Sequence, residues 1–170
     1  MDGALIERAR KGDADAFDEL ARQRIDSVYR TALGILGNPA DARDATQEAL
    51  ISAWRSLGSL REVERFDAWL YRITLNAARM VARKRRGVRE LRLTGDFDAS
   101  GGTLAGVGAA DFDRAFETLT VDQRALLLDH HLDALPIARL AERLGIAEGT
   151  VKSRLFAARQ ALDRALQAER

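Results

Sequence analysis

Apolar residues recur along most of this chain at intervals of three and four, the spacing that places them on one face of an α-helix. Three such patterns lie within residues 14–86, the first from about Ala14 to Leu36 and the third from about Phe66 to Arg86. The first helix is expected to end at Gly37. Asn38-Pro39 then predicts an N-cap followed by proline in the first turn of the second helix.

The apolar positions of these three patterns predict the core of an N-terminal helical domain. They are Phe17, Leu20, Ala21, Val28, Ala32 and Leu36 in the first helix, Ala42, Thr46, Ala49, Leu50, Ala53 and Leu57 in the second, and Phe66, Leu70, Ile73, Ala77 and Met80 in the third. The second helix carries a mostly polar set on its opposite face, which is Asp44, Gln47, Glu48, Ile51 and Arg55.

The third helix carries a second stripe of a different chemistry. Its members step by three, four, three and four residues and are Trp69, Arg72, Asn76, Arg79 and Arg83. An indole ring can stack on an unpaired base while guanidinium groups hold phosphates, so the stripe suits single-stranded or distorted nucleic acid. The alternative is that Trp69 is an aromatic residue at the edge of the core.

Beyond residue 86 the helical periodicity is lost, and residues 87–111 read as a flexible, Gly-rich linker. It separates a domain over 1–86 from a second domain over 112–170, in which four helices are expected. The sequence Thr120-Val121-Asp122-Gln123 predicts a capping box ahead of an apolar run.

The last two helices of the second domain predict a helix-turn-helix, the arrangement that reads duplex DNA. The first has apolar positions at Ile137, Leu140, Ala141 and Leu144, and the second at Val151, Leu155, Ala158, Leu162 and Leu166. Gly145 lies in the short turn between them, where a helix C-terminus needs φ > 0. The other face of the final helix is polar and basic, with Thr150, Lys152, Ser153, Phe156 and Arg159.

Composition favours an all-α protein and narrows the chemistry. Hydrophobic residues make up 46% of the chain, and it contains two prolines and no cysteine, which excludes disulfides and cysteine-ligated zinc. No apolar stretch approaches the roughly 18 residues needed to cross a bilayer, and the N-terminus is too charged for a signal peptide, so we expect a cytosolic protein without membrane insertion.

The net charge is only +1, but seven basic residues against one acidic residue lie between Arg79 and Arg92. That block suits phosphates, and the alternative is a solvated, charged helix end.

An enzyme is a poor fit to these residues. His130 and His131 are the two histidines of the chain, and being adjacent on a helix they cannot share one side. No nucleophile, base or metal-ligand spacing accompanies them, so we expect one packing and one surface histidine and no metal or cofactor.

Taken together, the motifs DATQEA, FDAWLYRI and EGTVKSRL occur in the order seen in extracytoplasmic-function sigma factors, and the chain resembles this branch of the bacterial sigma-70 family. The resemblance covers nearly the whole chain and implies region 2 over 1–86 and region 4 over 112–170. It implies a non-catalytic subunit that directs RNA polymerase core to promoters and helps to melt them. A stand-alone helix-turn-helix regulator remains the alternative, but it leaves the second-helix face and the Trp69 stripe without a use.

The resemblance also implies partners for each surface. The face of Asp44, Gln47, Glu48 and Ile51 corresponds to the part that docks on the β′ clamp coiled coil, and region 4 to the part that meets the β flap. The loop Gly58–Arg65 and the helix from Phe66 correspond to the part that opens the −10 element, where single-stranded DNA would meet Trp69, Arg72, Asn76, Arg79 and Arg83. Duplex −35 DNA would meet Gly149, Thr150, Lys152, Ser153, Arg154, Phe156 and Arg159, with the backbone N–H groups near Gly149 and Thr150 directed at a phosphate. The family also implies an anti-sigma factor.

Several positions depart from the family pattern and put the −35 preference in question. Ala147 stands where a capping Ser is common, and Ala157 stands where many members have Arg. Thr120 stands where Pro is common after Leu, and Leu135-Pro136-Ile137 stands where a Leu-Ser-Tyr-like sequence opens the next helix.

A further hypothesis is that acidic residues in and beside the linker mimic nucleic-acid charge near the polymerase cleft. These residues are Asp96, Asp98, Asp111 and Asp113.

Overall fold

The computed structural model describes residues 3–93 and 107–168, and within these ranges it consists of α-helices and two 3₁₀ turns without a strand. Side chains are described for residues 3–87 and 110–168. The helices are α1 (Gly3–Arg10), α2 (Ala14–Leu36), α3 (Pro39–Ser56), α4 (Phe66–Leu93), α5 (Val107–Thr118), α6 (Val121–His131), α7 (Ile137–Leu144) and α8 (Glu148–Ala168). The all-α prediction is therefore confirmed.

The contacts divide the chain into two compact units, the first built from α1, α2, α3 and most of α4. The helix ends are where local sequence chemistry predicts them. Gly37 ends α2 with φ 68°, and its N–H donates to the Leu33 carbonyl at 2.8 Å. The Asn38 side chain accepts hydrogen bonds from the backbone N–H groups of Ala40 and Asp41 at 2.9 and 3.1 Å and so caps α3.

Helix α1 is an element that the periodicity did not predict. It is one of the shortest helices, and its apolar stripe consists of little more than Ile6 and Ala9, both of which are buried. Asp13 joins it to α2, since this carboxylate caps α2 through the Ala16 N–H at 3.0 Å and accepts from Arg8 at 2.7 and 2.9 Å. A helix of this length is not stable alone, so burial against α2 stabilises α1.

Helix α4 buries a wider surface than one stripe. Phe66, Leu70 and Ala77 are buried as predicted, and Leu75 and Ala78 are buried with them. The prediction for Met80 is wrong, because its side chain is 43% exposed. A 3.0 Å hydrogen bond from Arg24 Nε to Asp67 Oδ1 joins the start of α4 to α2.

Both α4 and α5 extend into the interval 87–111 that was expected to lack helical structure. α4 continues to Leu93 because residues 87–93, GVRELRL, are rich in good helix formers and extend an existing helix without new nucleation. α5 begins at Val107, so Asp111 and Asp113 lie on a helix, and Asp111 pairs with Arg114. Residues 94–106, with Asp96 and Asp98, lie outside the described ranges.

In the second unit α8 packs against α5 and α6. Leu119, Leu127 and Ala158 are buried together, with Phe116, Ala161 and Leu162 packed around them. The predicted capping box of α6 is present: the Thr120 hydroxyl accepts from the Gln123 N–H, and the Gln123 side chain accepts from the Thr120 N–H.

Arg124 is a buried arginine that the sequence patterns did not predict. Its guanidinium donates to the carbonyls of Leu119 at 3.1 Å and Glu117 at 3.0 Å, near the end of α5. Burial lowers the pKa of Arg124. Such a side chain satisfies carbonyls that a helix end leaves without partners, so Arg124 acts as a C-terminal cap for α5.

A short turn joins α7 to α8. Gly145 has φ 70°, as the turn prediction requires, and Ile146 N donates to the Ala141 carbonyl at 3.0 Å. Leu140, Val151, Leu155 and Ala158 are buried, while Leu162 is half-buried. The structure therefore contains the predicted helices and turn of the helix-turn-helix, and its apolar positions are buried or half-buried. The four helices expected in the C-terminal part are α5, α6, α7 and α8.

Candidate nucleic-acid and partner interfaces

The outer face of α3 carries the residues expected to dock on polymerase. Asp44 and Gln47 are exposed, Glu48 is half-buried, and Ile51 is 37% exposed. Because these positions are spaced by three and four residues, they form one continuous surface, which is here called the α3 face. It offers two carboxylates and an amide beside an aliphatic side chain.

Trp54 extends the α3 face, and sequence reasoning missed it. Its indole is 40% exposed and lies 4.9 Å, centroid to centroid, from the Phe17 ring on α2. The contact with Phe17 fixes one side of the ring and leaves the other side open. The spacing could have identified it, because Trp54 follows Ile51 by three residues.

The stripe on α4 is placed largely as predicted. Trp69 is half-buried and its ring lies 5.8 Å from the ring of buried Phe66, whereas Arg72, Asn76 and Arg83 are exposed. The Arg79 guanidinium donates to the Asn76 side-chain oxygen, which orients both groups on the same stretch of helix. Both readings of Trp69 therefore describe part of its environment, since one side of the ring packs on the core and the rest faces outward.

The exposed Met80 borders this stripe, four residues after Asn76. A flexible thioether beside an amide and guanidinium groups adds an apolar contact that fits varied shapes. Arg83, Lys84, Arg85 and Arg86 continue the positive charge along α4 and are all exposed.

The loop between α3 and α4 is formed by two 3₁₀ turns, Leu57–Ser59 and Val63–Arg65. Its apolar side chains Leu57 and Leu60 are 1% and 5% exposed. Most of its remaining side chains, including Ser59 and Arg61, are exposed. The loop therefore presents polar groups to solvent while its leucines anchor the backbone.

The polar face of α8 is exposed as predicted. Gly149, Lys152, Ser153, Arg154 and Arg159 are exposed, Thr150 is half-buried, and the aromatic ring of Phe156 is 63% exposed. The Phe156 ring is thus an apolar group among cationic and hydroxyl groups on this face.

The backbone at the start of α8 differs from expectation at one donor. The Thr150 N–H donates to the Ala147 carbonyl at 2.9 Å, so it is engaged within the first turn and does not point outward as predicted. Helix ends are often tightened by such bonds. The alanine at 147 supplies this carbonyl but has no side-chain acceptor.

Arg159 has a neighbour that the sequence did not suggest. Its Nε lies 3.3 Å from Nε2 of exposed His131 on α6, while His130 Nδ1 lies 3.1 Å from the Leu135 carbonyl. Burial, together with the neighbouring Arg159 and His130 side chains, lowers the pKa of His131. A neutral His131 imidazole can accept the Arg159 hydrogen bond. His130, which is half-buried and bonded to the Leu135 carbonyl, is the packing histidine, and exposed His131 is the surface histidine.

Among the side chains of residues 3–87 and 110–168, no group of three or more His, Cys, Asp and Glu is arranged to hold a metal ion. No helix in residues 3–93 and 107–168 combines the length and the apolar character needed to span a membrane.

Family models match both parts of the chain. The model for Sigma-70 region 2 matches residues 20–88, and the model for Sigma-70, region 4, matches residues 109–162. The first match contains the α3 face and the start of α4, and the second contains the helix-turn-helix.

Named relatives agree with these matches. The chain is 35% identical to the ECF RNA polymerase sigma factor SigM of Mycobacterium tuberculosis, over 97% of this chain and 84% of the relative. It is 33% identical to the ECF RNA polymerase sigma-E factor of Escherichia coli, over 98% of this chain and 94% of the relative. Among solved structures, the sigma factor RpoE of Bartonella quintana, crystallised with the anti-sigma factor NepR, matches with a TM-score of 0.61 and 25% identity, over 91% of this chain and 98% of that one.

Region 2 and region 4 occur in order on one chain, and relatives above 30% identity match along almost its whole length. A regulator with a helix-turn-helix alone does not account for the region 2 match. This chain belongs to the ECF RNA polymerase sigma factors of the sigma-70 family.

Proposed function

We propose that this sigma factor uses three separate surfaces to bring RNA polymerase core to a promoter and open it, and that it acts without catalysing a reaction. The observation that carries the proposal is the pair of exposed faces on neighbouring helices of the first unit. α3 presents carboxylates and an indole, whereas α4 presents an aromatic and amide stripe that runs into exposed arginines.

The α3 face would dock on the β′ clamp coiled coil. Asp44 and Glu48 supply negative charge for basic partner side chains, and Ile51 and Trp54 supply the apolar area. Charge complementarity steers and orients such an encounter, while a partly buried indole surrounded by polar groups is a common centre of binding energy.

The α4 stripe and the loop 57–65 would hold the non-template strand of the −10 element. Trp69 offers a ring for base stacking or for wedging against a base pair, and Asn76 offers an amide to a base edge. Arg72, Arg79 and Arg83 would bind phosphates, since helical spacing places them along the same strand path.

The exposed face of α8 would enter the major groove of the −35 element. Lys152, Ser153 and Arg154 carry donors suited to base edges and phosphates, and the Phe156 ring suits apolar contact with a thymine methyl group. Arg159 and the Gly149 backbone would bind phosphates, and the hydroxyl of Thr150 remains as a donor although its N–H is engaged. Region 4 would also meet the β flap.

An anti-sigma factor is the expected inhibitory partner, as in the RpoE complex with NepR. The working compartment would be the bacterial cytoplasm, where core polymerase and promoter DNA meet. The domain limits 1–86 and 112–170, with a linker over 87–111, remain our proposal for the functional division of the chain.

In vitro transcription tests the proposal directly. Bacterial core polymerase with this chain as its only specificity subunit should give defined transcripts from genomic templates, and sequencing of their 5′ ends should reveal a shared −35 and −10 pair. Replacing Trp69 and Asn76 with Ala should abolish these transcripts, while the exposed pair Arg22 and Arg30 on α2 provides a control. Transcripts with random 5′ ends, or full activity without Trp69 and Asn76, would contradict the proposal.

A further inference from the structure

Helix α1 lies ahead of the region 2 match at residues 20–88 and contacts the loop between α3 and α4. It packs on α2 and on both 3₁₀ turns of that loop. Ile6 and Ala9 are 0% and 2% exposed, so the helix is firmly seated. Its polar side therefore stands at a fixed place beside residues 57–65.

Arg10 joins α1 to the loop backbone. Its Nη1 donates to the Leu60 carbonyl at 3.1 Å, and its Nη2 donates to Glu7 Oε1 at 2.9 Å. The side chains of Arg10 and Glu7 are each about one-third exposed. Its hydrogen bond with Arg10 lowers the pKa of Glu7, so the carboxylate stays charged and holds the guanidinium in this orientation.

The loop also has hydrogen bonds of its own: the Ser59 hydroxyl donates to the Ser56 carbonyl at 2.6 Å, and the Arg65 N–H donates to the Glu62 carbonyl at 3.1 Å. The Leu60 N–H donates to the Leu57 carbonyl at 3.0 Å, and both leucine side chains are buried. The chain then runs through exposed Arg61 and Glu62 to the second turn. At the other end of α1, a Cβ on Gly3 would meet Val63 Cγ1 at 3.7 Å, an ordinary van der Waals distance. α1 therefore approaches the loop near both of its turns.

We infer that α1 braces this loop and that Arg10 is a positioning residue for promoter opening. The inference rests on the proposed role of the loop in capturing the −10 strand. A loop held in its binding conformation loses less freedom when it binds DNA, so the brace raises affinity and selectivity without touching DNA. Arg10 holds the loop by its backbone and not by the exposed loop side chains that would contact the strand.

The test uses holoenzyme and a forked promoter taken from the mapped transcripts, with a duplex −35 element and a single-stranded non-template −10 segment. The measured quantity is the ratio of Kd values for the scrambled and the correct −10 segment, which does not depend on the active fraction of protein. Arg10→Ala should lower this ratio about fivefold, the effect of one lost hydrogen bond of ordinary net strength. Arg10→Lys should lower it less, because an ammonium can still donate to the Leu60 carbonyl.

Lys11→Ala is the matched control. Lys11 is on the same helix, has the same charge and pairs with the same Glu7 carboxylate at 3.6 Å, but its side chain is 74% exposed. It should leave the ratio unchanged. Equal ratios for Arg10→Ala and Lys11→Ala would overturn the inference. A double Ser59→Ala, Arg61→Ala variant tests the loop itself: if it keeps the wild-type ratio, the proposed role of the loop fails, and if it lowers the ratio while Arg10→Ala does not, only the brace fails.

Discussion

Ala134 occupies a backbone conformation that alanine rarely adopts. Its φ is 50°, in the left-handed region, just after α6 ends. The turn is otherwise well bonded, with the Asp133 N–H donating to the Leu128 carbonyl at 3.2 Å and the Leu135 N–H to the Asp129 carbonyl at 3.0 Å. These bonds hold the chain in a conformation where the Cβ of Ala134 is unfavourable.

Ala134→Gly should therefore stabilise the protein. Removing the Cβ relieves the left-handed strain, and after the entropy that glycine adds to the unfolded chain about 0.5 kcal/mol should remain. Urea denaturation followed by circular dichroism measures the change. Ala157→Gly is the control, because this exposed alanine lies within α8 and the same replacement there should destabilise by about 1 kcal/mol. A loss of stability in Ala134→Gly would contradict the strain argument.

The residue scale also shows where sequence reading is strong. Gly145 was expected at positive φ and Gly37 at a helix end, and the two residues have φ 70° and 68°. Glycine at a helix end indicates this conformation, because few other residues adopt positive φ without strain. Ala134 gives no such indication, since nothing in the alanine side chain marks a left-handed turn.

At the scale of elements, the helix caps make a prediction about pH. The Ala16 N–H and Arg8 hydrogen bonds lower the pKa of Asp13 below its usual range. A carboxyl group with a lowered folded-state pKa stabilises the protein above its unfolded pKa, and this contribution is lost as the pH falls through the folded value. Asp13→Asn should thus be less stable than the parent at pH 7, and the difference should shrink to zero as the pH falls below about 4.

Asn38→Ala is the comparison for this experiment. The Asn38 amide caps α3 but does not titrate, so its removal should cost about 1 kcal/mol at every pH at which the protein folds. Urea titrations of the three proteins between pH 7 and pH 3 measure both effects. A constant difference for Asp13→Asn would show that the Asp13 charge contributes nothing.

Element boundaries show both the reach and the limit of periodicity. α2, α3 and α6 begin at side-chain caps and α8 carries a long apolar stripe, and the positions of all four helices were predicted. α1 was missed because its buried stripe consists of little more than Ile6 and Ala9, whereas the equally short α7 has four apolar positions at helical spacing. α4 exceeds its predicted end because the charged residues after Arg86 carry no stripe yet propagate a helix well.

For the whole molecule, the proposed division of surfaces predicts that polymerase binding and DNA binding can be lost separately. A variant with Asp44→Asn, Gln47→Ala and Glu48→Gln should bind core polymerase more weakly in the absence of DNA, because it loses both charges of the α3 face. An Arg79→Ala, Arg83→Ala variant should bind core normally. Its holoenzyme should show a salt dependence of promoter binding reduced by about 1.4 in slope, for two contacts with a single strand.

Titration of labelled core with each variant, and promoter binding between low and moderate salt, measure the two effects. Arg22→Ala, Arg30→Ala on α2 removes the same charge and should change neither quantity. An unchanged salt slope for the Arg79 and Arg83 variant would contradict the phosphate contacts. Normal core binding by the α3 variant would contradict the docking face.

By itself the sequence determined the helical class, most helix ends and the stripes of the larger helices, because spacing, caps and propensity are local properties. The candidate residues on α3, α4 and α8 followed from the same spacing, together with the family resemblance. Tertiary structure decided which apolar side chains remain exposed. Trp54 and Met80 are exposed because burial depends on the neighbouring elements that cover a helix face. Tertiary structure alone brings Arg10 to the Leu60 carbonyl fifty residues away, because a contact between distant segments leaves no period in the chain.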